Sequence, residues 1–303
     1  MCTCVDVTST ASPFQDLVAP LSEAEFLALL KERKLTFVRG ANPNRYSNLL
    51  GWQTLQQMIE RGDHPRGLGD FRVAKESMTV PADRWLTKSK TDNSNKVDTS
   101  KLEEFLANGF SLIVTPIDRH VPALGSLCAN IRSQLCEQIK VGVIVTAAQS
   151  VGAFKIHFDP EDLIILQIEG TKRWKIFGPA VSNPVQGMPK QEPPPEEAPI
   201  FDEVLEPGDF LFLPGGNWHH CENGPERSLH LGIFFIPPTS WHAVKTMTSD
   251  LVADEVFRTP LTRIKDQAEF DALESEVKRS LIEKINSLNL KEFLGQWNRK
   301  ANA

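Results

Sequence analysis

The sequence predicts a mainly β core with flanking helices, and three patterns carry that prediction. Five short runs, KVGVIVTAA, DLIILQIEG, KRWKIF, DFLFLP and SLHLGIFFI, are apolar or alternating and are parted by Gly and Pro, the mark of a β-rich core. Helical spacing lies to either side of them. Leu124, Leu127, Cys128, Ile131 and Leu135 form one stripe within 123–139, and Phe270, Leu273, Val277, Leu281, Ile285 and Leu288 form another. The chain's 303 residues, 41% hydrophobic and 24% charged, suffice for a buried core and have the composition of a folded protein.

Taken in order, residues 1–20 are Ser/Thr-rich and weakly patterned, which reads as a mobile leader. In SEAEFLALLKER, Ser22 caps a helix whose Phe26, Leu29 and Leu30 share one face. LTFVRG reads as a strand ending at Gly40, and 46–61 holds a second helix with Leu55, Met58 and Ile59 at helical spacing. Between 62 and 95 one short strand, FRVAK, sits in turn-rich sequence expected to form loops near a substrate entrance. A short helix over 100–108 and a strand in FSLIVTPI lead into the helix at 123–139. Residues 178–199 carry too many prolines for a central strand and read as an acidic surface loop. Past Pro238 the strands stop.

Charge and cysteines narrow the class. A formal net charge of −6 lacks the basic excess of a nonspecific nucleic-acid binder. No apolar run approaches the roughly 18 residues of a membrane span, and the start MCTCVDVTSTASPFQD is not a signal peptide. Five cysteines without framework spacing point to reduced thiols and a cytoplasmic setting.

The chemistry concentrates in the histidines. His157, His219, His220, His230 and His242 fall in the same third of the chain as the strand runs. On a strand, residues i and i+2 share a face, so His157 and Asp159 in HFD aim an imidazole and a carboxylate at one point. A histidine on a returning strand, His219 or its neighbour His220, completes a facial set of two histidines and one carboxylate. Such a set leaves the opposite face of an octahedral metal open, as in non-haem Fe(II) oxygenases. Alone, an H-x-D is more often a pair of satisfied polar residues; its surroundings alter that balance.

Downstream of His157 the chain reads HFDPEDLIILQIEGTKRWKIFGP, and upstream of His219 it reads LEPGDFLFLPGGNWH. The set H-x-D, Q-x-x-G-x-K-x-W (Gln167, Gly170, Lys172, Trp174), P-G-D (207–209), P-x-G-x-x-H (Pro214, Gly216, His219) and S-L-H-L (228–231) resembles the JmjC-type cupins. These include the ribosomal oxygenases, which are Fe(II)- and 2-oxoglutarate-dependent protein hydroxylases. The resemblance covers about 75 residues and extends weakly back over 97–139. It implies a double-stranded β-helix (cupin, jelly-roll) core over about 110–238 in a domain of 21–238. A C-terminal helical region over 239–303 follows, at the place where relatives dimerise. Some 60 residues follow Pro238, too few for the winged helix that relatives add, so none is expected.

The same resemblance assigns roles. His157, Asp159 and His219 are the implied iron ligands, with His220 behind them or facing away. Lys172 is the implied partner of the distal carboxylate of 2-oxoglutarate. Its neighbour Arg173 faces the other way, while Trp174 shares its face and reads as packing. Thr146 and Ser150 border the co-substrate pocket, and Ser228 and His230 share a face from which one meets the co-substrate or orders a ligand. Relatives often show Asn and an aromatic before the Thr, where this chain has Gly142 and Ile144.

Other motifs carry less. Cys2-x-Cys4 has no second pair for zinc, and Cys221 and His220 point to opposite strand faces. Gly67-Leu68-Gly69 and Gly215-Gly216 are turns without the helix a phosphate loop needs. The implied activity is hydroxylation of a protein or peptide residue, consuming O2 and 2-oxoglutarate and releasing succinate and CO2. Two alternatives are the same chemistry on a free amino acid or natural-product intermediate, and a metal-binding cupin sensor without turnover. The expected partners are the substrate and a second copy of the chain. No membrane is expected, and nucleic acid only through a ribonucleoprotein substrate.

Overall fold

The computed structural model describes residues 13–62, 69–88, 94–135, 137–188 and 196–301. Helices α1 (Pro13–Val18) and α2 (Glu23–Glu32), strand β1 (Thr36–Val38) and helix α3 (Trp52–Arg61) come first. Strands β2 (Phe71–Lys75), β3 (Met78–Thr79), β4 (Leu86–Lys88) and β5 (Asn95–Val97) precede α4 (Thr99–Ala107), β6 (Ser111–Val114) and α5 (Pro122–Leu135). The central strands are β7 (Gln138–Thr146), β8 (Asp162–Glu169), β9 (Lys172–Pro179), β10 (Phe201–Leu205), β11 (Phe210–Leu213), β12 (Asn217–Asn223) and β13 (Ser228–Ile236). Helices α6 (Ser240–Asp250), α7 (Gln267–Ser287) and α8 (Leu290–Ala301) close the chain.

Eight strands pair in the order β1-β11-β8-β13-β7-β6-β2-β3, and three more in the order β10-β9-β12. The mainly antiparallel strands with flanking helices form the double-stranded β-helix that the sequence predicts.

Two separate cores explain why the strand runs look continuously apolar. Odd and even residues of one strand enter different clusters, as side-chain alternation requires. Ile164, Leu166, Phe210 and Phe212 join the helices of the N-terminal half in one large core; Leu163, Ile165, Leu211 and Leu213 join Trp174, Ile176 and Leu205 inside the barrel. Phe26 of α2 anchors the outer core, with Phe14, Phe210 and Phe212 edge-on to it at centroid distances of 5.4–6.1 Å. Its helix starts where the sequence predicts: Ser22 and Glu25 form a reciprocal capping box.

Local differences from the expectations have physical causes. Of the predicted mobile leader, 1–12 lie outside the described residues, but α1 buries Phe14, Leu17 and Val18, so 13–20 belong to the folded body. The helix predicted over 123–139 stops at Leu135, because β7 begins at Gln138. Strand β10 was not predicted, and β12 only as the returning strand of His219; FDEVL is interrupted by two carboxylates, NWHHCEN is largely polar, and both are partly exposed. Residues 189–195 of the predicted acidic loop, and 63–68 of the predicted entrance loops with Gly67 and Leu68, lie outside the described residues.

Two compact units divide the chain: Met1–Leu135 with Ile139–Ile236, and Cys136–Gln138 with Pro237–Ala303. The second contains α6 to α8. Its α7 buries only Ser280 and exposes Phe270, Ile282 and Ile285 to 40–58%. No helix among the described residues is long and apolar enough to cross a membrane.

Candidate active site

His157 and Asp159 are not on a strand. They lie in the segment between β7 and β8, and His157 joins β12 through a single antiparallel bridge to His219. Alternation therefore reached the right juxtaposition by the wrong element. The bridge faces the two imidazoles at a centroid distance of 4.3 Å.

Each ring is oriented by a backbone carbonyl two residues upstream. His157 Nδ1 lies 2.8 Å from the Lys155 carbonyl, and His219 Nδ1 lies 3.1 Å from that of Asn217. A carbonyl only accepts, so each Nδ1 carries the proton and each Nε2 keeps its lone pair. Both Nε2 atoms face Asp159, at 3.9 Å from Oδ1 for His157 and 3.8 Å from Oδ2 for His219. Their ligand atoms lie within 4.8 Å of one another. Burial first, and then the neighbouring His157, drive the His219 pKa down to about 3, so this ring is in its neutral, ligating form.

These observations fit a divalent transition metal. Two imidazoles oriented through Nδ1 and one aspartate side chain make an N2O donor set suited to Fe(II), open on one side. His220 stays outside the set: it is half-buried, and its Nδ1 has no hydrogen-bond partner among the described residues.

Further along the inner wall, Lys172 lies fully buried at the start of β9. The tight turn before it requires glycine: Gly170 has φ +62°, and a Cβ there would lie 2.2 Å from the Arg227 carbonyl. The ammonium donates to Thr146 Oγ1 at 2.8 Å and lies 3.5 Å from His230 Nδ1. Both partners are neutral. Desolvation accordingly lowers the Lys172 pKa to about 8 and pushes that of His230 well below its usual value.

The other predicted residues divide. Thr146 and His230 meet Lys172, whereas Ser150 bonds the Gly109 carbonyl at 2.6 Å and Ser228 bonds Asn223. The register shift beside His230 leaves Ile168 of β8 unpaired, while Leu229, Leu231 and Ile233 all stay in the outer core, so β13 itself keeps its alternation and what separates Ser228 from Lys172 is its bond to Asn223. At Gly142, Thr115 Oγ1 and a Phe234 ring carbon would lie 2.6 and 3.2 Å from any Cβ. Arg173 points outward to Asp202, as expected.

Trp174 packs into the inner cluster, as expected. Its ring lies over His219 (5.8 Å, 30°) and meets His230 edge-on (5.5 Å, 83°), joining the metal end of the wall to the lysine end. Its buried indole N–H has no hydrogen-bond partner among the described residues. The alternation Lys172–Trp174 placed it on this wall, but nothing in the sequence distinguishes a lining tryptophan from a core one. Cys221 packs into the same inner cluster, two residues after His219.

Known proteins match this architecture. Residues 124–243 match the model of the JmjC domain. An uncharacterised Bacillus subtilis (strain 168) protein, YxbC, is 26% identical over 92% of this chain and 87% of its own length. The bifunctional lysine-specific demethylase and histidyl-hydroxylase NO66 of Drosophila mojavensis is 24% identical over 71% of this chain, which spans 24% of that protein. The crystal structure of the Escherichia coli ribosomal oxygenase YcfD superposes with a TM-score of 0.54 at 17% identity, covering 91% of this chain and 69% of that one. At that identity the likeness is one of fold. The domain match, the shared fold and the two histidines and aspartate within it agree: residues 124–243 form a JmjC domain, and the chain is similar to the Fe(II)- and 2-oxoglutarate-dependent oxygenases of the JmjC cupin type.

Proposed function

We propose that the chain hydroxylates a residue of a protein or peptide substrate, with 2-oxoglutarate converted to succinate and CO2. The observation that carries this reading is the pairing of two sites on one inner wall. His157, Asp159 and His219 offer three convergent donors, and Lys172 offers a buried cation with only neutral partners. A buried cation without a counter-ion is costly, and the distal carboxylate of a dicarboxylate removes that cost.

Fe(II), with 2-oxoglutarate and O2, supplies the oxidising chemistry when bound. The chain's own residues do the rest. His157 and His219 hold their ligating nitrogens ready through the Nδ1–H bonds to Lys155 and Asn217. Lys172 and Thr146 orient the distal carboxylate, while Trp174 and Ile176 keep the wall between them dry. The side chains of His157 and Asp159 are about one-third exposed while that of His219 is buried, so a substrate approaches from the His157 side.

A protein substrate is supported by the similar proteins, a histidyl-hydroxylase and a ribosomal oxygenase. Gly142 and Ile144, where relatives carry larger polar and aromatic groups, favour a small-molecule substrate as the second reading. Peptide libraries and free amino acids, each incubated with Fe(II), 2-oxoglutarate and O2, separate the two. Succinate release and gain of one oxygen atom on a peptide supports the first; turnover only with free amino acids supports the second. The exposed apolar residues of α7 further support a homodimer formed through the C-terminal helices, and sedimentation of the full chain tests it.

A further inference from the structure

The two segments that carry the metal ligands are tied together beyond the His157–His219 bridge. The Gly216 N–H donates to the Asp159 carbonyl at 2.7 Å, and the Gly215 N–H donates to Asp162 Oδ1 at 2.7 Å. Only glycine permits this approach, since a Cβ on Gly215 would lie 2.6 Å from the Pro160 carbonyl oxygen.

A residue far away in sequence closes the outer end of this seam. Arg33 ends α2 in the left-handed region, at φ 52°. Its Nη2 donates to the Gly215 carbonyl at 2.7 Å and lies 3.1 Å from Asp162 Oδ1, and its Nη1 reaches Asp162 Oδ2 at 3.4 Å. One guanidinium thus bonds both ligand segments, three residues beyond Asp159 on one and four before His219 on the other. The Asp162 side chain is 8% exposed, so this contact is shielded from water.

We propose that Arg33 is a positioning residue for the metal centre, locking segment 157–162 onto segment 214–219 and so setting the separation of Asp159 from His219. The proposal rests on the reading of His157, Asp159 and His219 as metal ligands. A planar fork bonding a carbonyl and a carboxylate at once is something lysine reproduces only in part.

The chain contains its own control. Arg39 makes a similar bond to a buried carboxylate, with Nη1 2.7 Å from Asp209 Oδ2, at the opposite end of β11 from Gly215. A merely structural role for Arg33 predicts that Arg33→Ala and Arg39→Ala behave alike.

Co(II) is titrated into the full-length apoprotein, reading affinity by calorimetry and ligand geometry by the visible spectrum, with thermal unfolding alongside. Arg33→Ala is expected to weaken Co(II) binding about tenfold and to alter the cobalt spectrum, as loss of groups supporting a metal ligand does. Arg33→Lys recovers part of the affinity. Arg39→Ala lowers the unfolding temperature but leaves cobalt affinity and spectrum as in the parent. Equal cobalt affinity in the parent and Arg33→Ala, or equal loss in both alanine variants, overturns the proposal. If Arg33→Ala does not fold, unchanged affinity and spectrum in Arg33→Lys overturn it instead. Asp159→Ala tests the ligand reading on its own: cobalt binding that survives this change overturns that reading and the clamp with it.

Discussion

His157 and His219 exchange backbone hydrogen bonds across one antiparallel bridge, His157 N–H to the His219 carbonyl at 3.1 Å and the reverse at 2.7 Å. Through this bridge, a loop residue and a strand residue 62 positions apart present their imidazoles side by side. The bridge sets the separation of the two backbones, and the Nδ1 contacts with the Lys155 and Asn217 carbonyls orient the rings from there.

That geometry separates His219 from its neighbour. His157→Ala and His219→Ala are expected to abolish Fe(II) binding, whereas His220→Ala leaves it within about threefold of the parent, as removal of a group outside the coordination shell does. Calorimetric Mn(II) titration of the three apoproteins checks this. Loss of binding in His220→Ala with retention in His219→Ala reverses the assignment.

Lys172 links co-substrate binding to pH. Desolvation lowers its pKa to about 8, so the ammonium that pairs with a dicarboxylate is present below that pH and absent above it. Affinity for 2-oxoglutarate is therefore expected to be flat below pH 8 and to fall as pH rises through it. Lys172→Met binds 2-oxoglutarate at least about tenfold more weakly, from the loss of a charge-assisted bond, with no such pH dependence. Titrations of the Mn(II)-loaded protein across pH 6.5–9.5 (about three units, chosen to bracket the shifted group) measure both.

The same residue costs stability. A lysine whose folded pKa is depressed holds fewer protons in the folded state than in the unfolded one, so stability rises with pH between about 8 and 10.5. Below pH 8 the full cost of the buried charge is present. Lys172→Met is accordingly expected to unfold at a higher temperature than the parent at pH 7, an effect that calorimetry reads directly. A lower unfolding temperature would show that the ammonium is satisfied without its ligand.

Phe26 ties the N-terminal helices to the sheet that carries the site. Its ring meets Phe14, Phe210, Phe212 and Phe235 and is fully buried. Phe26→Ala is expected to destabilise the folded chain by about 3–5 kcal/mol. Urea unfolding monitored by far-UV circular dichroism gives the value, and a loss below about 1 kcal/mol would mean that the outer core tolerates the cavity.

Burial pushes the thiols of Cys128 and Cys221 to about 12, so neither forms the thiolate that attacks an alkylating agent. Iodoacetamide at pH 8 is expected to leave both unmodified in the native chain and to label both after denaturation, as peptide mass spectrometry reports. Rapid native labelling of Cys221 would show that the inner wall opens to solvent.

The strands and ligands were legible for one reason and the supporting contacts were not for another. Ile164 and Phe212 enter the outer core while their neighbours Ile165 and Leu211 enter the inner one, so their strands are apolar on both faces and stand out along the chain. Strand β10, with Asp202 and Glu203 exposed at its centre, carries no such mark. His157, Asp159, His219 and Lys172 sit in short motifs whose spacing carries chemistry. Arg33 bonds a carboxylate 129 positions away, and no local pattern encodes that separation. Ser228 is engaged by Asn223 across a turn, a partner that a period of two does not reveal.

The central claim is that His157, Asp159 and His219 hold iron while Lys172 holds the far end of 2-oxoglutarate. Anaerobic addition of Fe(II) and 2-oxoglutarate to the apoprotein tests it most directly, through the metal-to-ligand charge-transfer absorption of a chelated keto acid. The expected result is a visible band in the parent that is absent in Asp159→Ala and requires far more 2-oxoglutarate in Lys172→Met. A folded, iron-loaded parent that shows no such band contradicts the account.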